Sequence, residues 1–252
     1  MIKSFKFFLF IAIISSSLYS QTITVAAASN LKYAMDNIVL EFTKETGISV
    51  KAIFGASGKL TQQILSGAPY DLFLSADMEF PIKLAQNGYT LTNPKVYAYG
   101  TLALWSTNQT TLEDGLSSLC RKKDLTFAIA NPKTAPYGVE AMNALHYYTK
   151  DRACSAKIVT TESISQVGSY VTTQAADVGF IAKSIVLSDE MRNIGKWVDI
   201  NPKAYKPIDQ GMVMLKSNSA DNQTAAKRFF DFMSSPIAQS ILKRNGYIVP
   251  KP

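Results

Sequence analysis

The chain has 252 residues, 47% of them hydrophobic and 18% charged, with a formal net charge of +7. That balance supports a packed core and excludes an intrinsically disordered protein. The basic residues are scattered, with only the short run Arg121-Lys122-Lys123, so the charge reads as a solvated surface and not as a nucleic-acid footprint.

The chain opens with an export pattern. Lys3 and Lys6 precede the apolar run Phe7 to Ile14, and a small, polar stretch from Ser15 to Ser20 ends before Gln21. Residues 1–20 are therefore expected to be a signal peptide, cleaved near Ser20, which sends the mature chain to the periplasm. The apolar run is too short for an ordinary membrane span. No cysteine follows it, so no lipid anchor on a mature N-terminal cysteine is expected.

Strands and helices then alternate. Thr22 to Ala28 reads as a strand. Asn30 to Thr46 carries Leu31, Ala34, Met35, Ile38, Val39 and Phe42 at helical spacing and ends at Gly47. Ile48 to Phe54 is the next strand, Lys59 to Ser66 a helix, Asp71 to Leu74 a buried strand, and Met78 to Asn87 a helix closed by Gly88. Tyr97 to Ser106 is strand-like. The rhythm resumes with strands at Thr126 to Ala130, Lys157 to Thr161, Val178 to Ala182 and Met212 to Leu215. Helices are expected at Pro136 to Tyr148, Ile164 to Ala175, Ala220 to Phe232 and Pro236 to Asn245. This is the order of an α/β protein with mainly parallel sheets. Cys120 and Cys154 are expected to be bridged, because a cysteine pair in an oxidising compartment is usually paired.

Four helix-opening turns share a chemistry: Ala28-Ser29-Asn30, Ala56-Ser57-Gly58, Ala135-Pro136-Tyr137-Gly138 and Ser165-Gln166-Val167-Gly168. Helix N-termini carry unpaired N–H groups and the positive end of the helix dipole. Gly58, Gly138 and Gly168 leave room for close backbone approach. If the four ends converge, they make an anion site of neutral donors. Read singly, each Ser or Asn is an ordinary helix cap.

At these residues the chain resembles the periplasmic molybdate-binding family, a branch of the type II solute-binding proteins. The resemblance is carried by Val25-Ala26-Ala27-Ala28-Ser29-Asn30-Leu31, by Phe54-Gly55-Ala56-Ser57-Gly58-Lys59-Leu60, and by the run from Gly67 to Asp77. Ser235-Pro236 through Gly246-Tyr247 and Pro250 add to it. It implies a two-lobed type II fold, each lobe a mainly parallel sheet flanked by helices, with the ligand in the cleft between them. Lobe 1 is expected at 21–100 plus 212–252, and lobe 2 at 101–211. The implied ligand is molybdate or tungstate, held through its oxygens and not by direct coordination of the metal. Ser29 and Ser57 would offer hydroxyl and backbone donors, Asn30 a backbone N–H, and Tyr137 and Val167 backbone N–H groups. No cofactor is implied. The implied partner is an inner-membrane ABC permease, and the protein is expected to be a monomer. One departure stands out. Many members place a tyrosine hydroxyl on the oxyanion just after a Gly-apolar-apolar strand; here Gly179-Phe180-Ile181 is followed by Ala182.

Other readings of the same residues are blander or different. Lys59 is expected to face solvent. Asp71 and Asp77 read as a strand-end hydrogen bond and a helix cap, and Tyr97, Tyr99 and Trp105 as core or hinge packing. Gly55-Ala56-Ser57-Gly58-Lys59 has part of a nucleophile elbow, with Lys59 where the last glycine belongs, so a secreted serine hydrolase would have to recruit the lone His146. His146 is expected to be structural instead. Sulfate remains the alternative oxyanion. Phosphate is disfavoured, because none of the four turns holds an acceptor for its proton.

Overall fold

The computed structural model describes residues 21–108, 112–150, 153–216 and 220–251. The expected signal peptide lies outside them. Among the described residues no helix is long and apolar enough to cross a membrane.

The first half of the chain builds one sheet. Strand β1 (Thr22–Ala28) leads through a short 3-10 turn (Ser29–Leu31) into helix α1 (Lys32–Thr46). Gly47 ends α1 in the left-handed conformation, at φ 71°. Strand β2 (Ser49–Gly55), helix α2 (Ser57–Leu65), strand β3 (Leu72–Leu74), helix α3 (Glu79–Gln86) and strand β4 (Lys95–Gly100) follow. The sheet order is β2-β1-β3 and then two later-joining strands, with β1 parallel to both neighbours. Its central position explains the unbroken burial of Val25 to Ala28.

Thr101 alone separates β4 from strand β5 (Leu102–Ser106), which belongs to the second sheet. Helix α4 (Leu116–Leu119), strand β6 (Thr126–Ala130), helix α5 (Pro136–Thr149), strand β7 (Lys157–Thr161), helix α6 (Ile164–Thr172), strand β8 (Val178–Ala182), helix α7 (Lys183–Val186) and strand β9 (Lys196–Asp199) complete that lobe, in the order β7-β6-β8-β5-β9. Strand β10 (Ile208–Met214) returns to the first sheet between β3 and β4, antiparallel to both. Pairing with the first sheet thus begins at Ile208, four residues before the expected lobe boundary. Helices α8 (Ala220–Phe232) and α9 (Pro236–Arg244) close the first lobe.

Both sheets are mixed. β10 runs against its neighbours in one, and β5 runs against β8 and β9 in the other. The single strand-like run expected from Tyr97 to Ser106 is two strands in different sheets. The four-residue elements α4, α7 and β9 are further additions to the expected order, each too short to show a period and without the unbroken apolar run that marks β3.

Each lobe has its own core. In the first, Phe42 of α1 meets Phe229 and Phe232 of α8 edge-on, at centroid distances of 4.9 and 5.4 Å. In the second, Phe127 lies 5.5 Å from Phe180. Ala28, Ala56 and Ala76 come from the first lobe but pack into the second lobe's core, so the two lobes are closed on each other. Cys120 and Cys154 form the expected disulfide, which pins α4 to the segment before β7.

Candidate oxyanion site between the lobes

The helix-opening turns meet where the lobes touch. A cavity of about 10 Å³ is lined by Ser29, Asn30 and Ser57 from the first lobe and by Pro136, Tyr137 and Ile164 from the second, with small residues between them. Ser29, Asn30, Ser57 and Tyr137 are each at most 3% exposed. No charged side chain lines the cavity.

Local structure explains the donors. Ser57 is the first residue of α2, so its N–H has no partner inside the helix. Its Oγ accepts the Ala76 N–H at 3.0 Å, which leaves the hydroxyl proton to be donated elsewhere. Pro136 opens α5 at a position where its missing N–H costs nothing, and Tyr137 follows in the same unpaired turn. The Ser29 side chain makes no hydrogen bond among the described residues. Val167 is fully buried on α6 but does not line the cavity; Ile164, one turn earlier, does.

Closure uses some of the same groups. The Gly58 N–H donates to the Thr134 carbonyl of the second lobe at 2.9 Å. A Cβ on Gly58 would lie 3.0 Å from the Thr134 backbone, tighter than an ordinary contact, so glycine eases this close approach of the lobes. Gly138 is similarly confined by Ala130 and Asn131, whereas a Cβ on Gly168 would make only ordinary contacts from 3.7 Å. Lys59 does not simply face solvent: its ammonium lies 2.7 Å from the Glu162 carboxylate of the other lobe.

Behind the cavity lies a polar network that sequence reasoning missed. Asn30 Nδ2 donates to Gln210 Oε1 at 2.9 Å and to the Tyr247 hydroxyl at 2.8 Å. The Asn30 carbonyl accepts from the Ser184 and Tyr247 hydroxyls, each at 2.8 Å. Gln210 also takes the Tyr97 hydroxyl at 2.8 Å and donates to the Tyr137 hydroxyl at 3.0 Å. Burial pushes the Tyr97, Tyr137 and Tyr247 phenols upward, so all three stay neutral. The sequence signal for it was weak, a glutamine beside Asp209 in strand β10.

Ala182 is fully buried and stands at the start of α7, and no hydroxyl replaces the family tyrosine there. Two residues on, Ser184 reaches the Asn30 carbonyl instead. Asp71 takes the Thr24 N–H at 2.7 Å and Asp77 caps α3 through the Phe80 N–H at 3.2 Å, as their positions suggested. His146 is exposed near the end of α5, not packed in a core. Ten residues of helix rise separate it from Pro136, about 15 Å, so it does not reach Ser57.

The fold and the site define a two-lobed α/β binding protein with a neutral, donor-rich cleft. The profile of the bacterial extracellular solute-binding proteins matches residues 23–248, and the chain belongs to that family. The chain is 37% identical to the molybdate-binding protein ModA of Rhodobacter capsulatus over 90% of its length and 88% of that protein's. It is 36% identical to ModA of Azotobacter vinelandii over 89% of each chain. The periplasmic molybdate-binding protein structure from Azotobacter vinelandii superposes with a TM-score of 0.78 at 31% identity, covering 91% of this chain and 100% of that one.

Proposed function

We propose that the mature protein captures molybdate in the periplasm and delivers it to an ABC importer in the inner membrane. The observation that carries this reading is the convergence of Ser29, Asn30, Ser57 and Tyr137, from both lobes, on one small cavity with no charged lining. A dianion removed from water is costly unless hydrogen-bonded on every side. Each bond to a charged group contributes about 1.5–3 kcal/mol, so about six neutral donors offset the cost. Val167 is a further donor in this reading, entering the wall when the lobes adjust around the anion. Tungstate has nearly the same size and shape and is bound with molybdate. Sulfate is smaller and leaves slack in the same cage. The absence of a carboxylate from the cavity lining disfavours phosphate, whose proton needs an acceptor.

Binding needs no catalytic group and no cofactor. The ligand bridges the lobes and favours their closed arrangement, which the permease recognises. The protein acts as a monomer and has no nucleic-acid partner.

Isothermal titration of the anion-stripped mature protein with molybdate, tungstate and sulfate, in buffer free of phosphate and sulfate, tests the reading. One-to-one binding of the first two with sulfate weak is expected. Silence with all three overturns it. His146→Ala binds as the wild type does; loss of a hydrolytic activity on this change would favour the serine-hydrolase reading.

A further inference from the structure

We propose that Gln210 is a positioning residue that ties the two halves of the oxyanion site together and sets which face of the Asn30 amide meets the ligand. The proposal rests on the reading of the cavity as an anion site.

Gln210 is fully buried on β10, at the point where the register with β4 shifts. Its single amide contacts a cavity residue from each lobe. Asn30, from the first, donates to its Oε1, and Tyr137, from the second, takes its Nε2–H. The space around this contact is already filled. A Cβ on Gly100 would overlap the Tyr137 hydroxyl and lie 2.5 Å from Gln210 Nε2. The absence of a side chain at Gly100 thus leaves the room that the Gln210–Tyr137 contact occupies.

Asn30 Oδ1 is buried without a hydrogen-bond partner. An orphaned acceptor in the wall of an anion site is unfavourable twice, once for lost hydration and once for repulsion of the anion. A concerted reversal of two amides removes both penalties. With Asn30 and Gln210 both turned over, Gln210 Nε2 donates to Asn30 Oδ1, and the Tyr247 and Tyr137 hydroxyls donate where they now accept. The Tyr97 hydroxyl then accepts from Gln210 and donates to the Ser75 carbonyl, which already lies 3.3 Å away. The bonds between the amides and the tyrosines are kept because each hydroxyl can either donate or accept, and the Asn30 carbonyl, which gives up the single Tyr247 proton, keeps the Ser184 hydroxyl at 2.8 Å. The group left over is now Asn30 Nδ2, a donor for an anion oxygen. Asn30 cannot turn alone, since its Oδ1 would then face Gln210 Oε1. Gln210 is thus the partner whose amide must reverse with it.

Two substitutions separate this role from mere packing. Gln210→Met keeps the volume and removes the tie. Gln210→Glu keeps the shape but offers only acceptors when ionised, which holds Asn30 Oδ1 outward and sets a negative charge behind the anion. Molybdate titration of the full mature protein should show Gln210→Met weaker than wild type on the order of 10–100-fold, the worth of one charge-assisted bond. Gln210→Glu should bind poorly at pH 8.5 and recover at least about tenfold by pH 5.5 as the carboxylate is neutralised, while the wild type changes little. A folded Gln210→Met within about twofold of wild type, or a Gln210→Glu with the wild-type pH profile, overturns the proposal. Small-angle scattering of the ligand-free proteins reads the interlobe tie whatever the anion is. Gln210→Met should have the larger radius of gyration, and identical profiles reject the tie. If wild type itself ignores molybdate, the choice of ligand fails, and the scattering comparison still decides the role of Gln210.

Discussion

The Lys59 ammonium and the Glu162 carboxylate stand 2.7 Å apart across the boundary between the lobes, and each side chain is about half exposed, at 48% and 53%. Exposed ion pairs contribute little and are screened by salt. Lys59→Met or Glu162→Gln should therefore weaken ligand binding by less than about fivefold. The change should sit in the dissociation rate and fade at 1 M salt. Stopped-flow displacement at low and high salt measures both. The hydrogen bond from Lys59 holds the Glu162 carboxyl below its ordinary range. A hundredfold loss would instead place Lys59 on the anion itself.

Ser57 has two duties, and one substitution separates them. Its Oγ accepts the buried Ala76 N–H, and its hydroxyl faces the cavity. Ser57→Ala should raise the molybdate Kd about 10–100-fold, as expected for losing one bond to a charged ligand. It should also lower the melting temperature of the ligand-free protein by a few degrees, because the Ala76 N–H loses its acceptor. Titration and thermal melts without ligand read the two effects. An unchanged Kd would remove Ser57 from the site.

Asp77 gives the fold a pH dependence. Burial raises its pKa from 3.8 to about 6, against the lowering effect of the Phe80 N–H and the Ser75 hydroxyl. Between those values the native state holds a proton that the unfolded chain has released, so stability falls as pH rises from about 4 to about 6. Asp77→Asn is neutral throughout and should melt higher than wild type above pH 6. A gain of about 2–4 °C corresponds to about 1 kcal/mol in a chain of this size. The gain should vanish near pH 4. A difference that does not vary with pH would mean Asp77 is not the titrating group.

The disulfide closes a loop with a sequence separation of 34. Chain-entropy arithmetic gives it about 3–4 kcal/mol, and about 10 °C of melting temperature follows at this size. The pair Cys120→Ser and Cys154→Ser should show that drop, while molybdate affinity is retained because neither cysteine lines the cavity. A melting temperature unchanged by reduction would show that α4 and its neighbours hold that corner unaided.

The long elements were legible because their signals are local. β1, β6, β7 and β8 fall where β-type runs of apolar residues stood in the sequence, and α1 shows its buried face at Ala34, Met35, Ile38 and Phe42. The donor-bearing turns were legible for the same reason, since Ser57 and Pro136 mark helix starts. The network behind them was not. Asn30, Tyr97, Tyr137, Ser184, Gln210 and Tyr247 meet across sequence separations of up to 217 residues. Nothing local tells a tyrosine that satisfies a buried glutamine from one that fills a core. The ion pair at Lys59 was hidden likewise, because its partner comes from the other lobe.

The near-total burial of Ser29, Asn30, Ser57 and Tyr137 sets the tempo of release. An anion hydrogen-bonded from both lobes should leave after the lobes part, so its residence time should follow the waiting time for opening. Exchange against a competing anion should then reach a plateau that further competitor cannot raise. A free protein would hold its cargo for as long as the hinge rests, and a membrane partner that pries the lobes apart would set the pace of import.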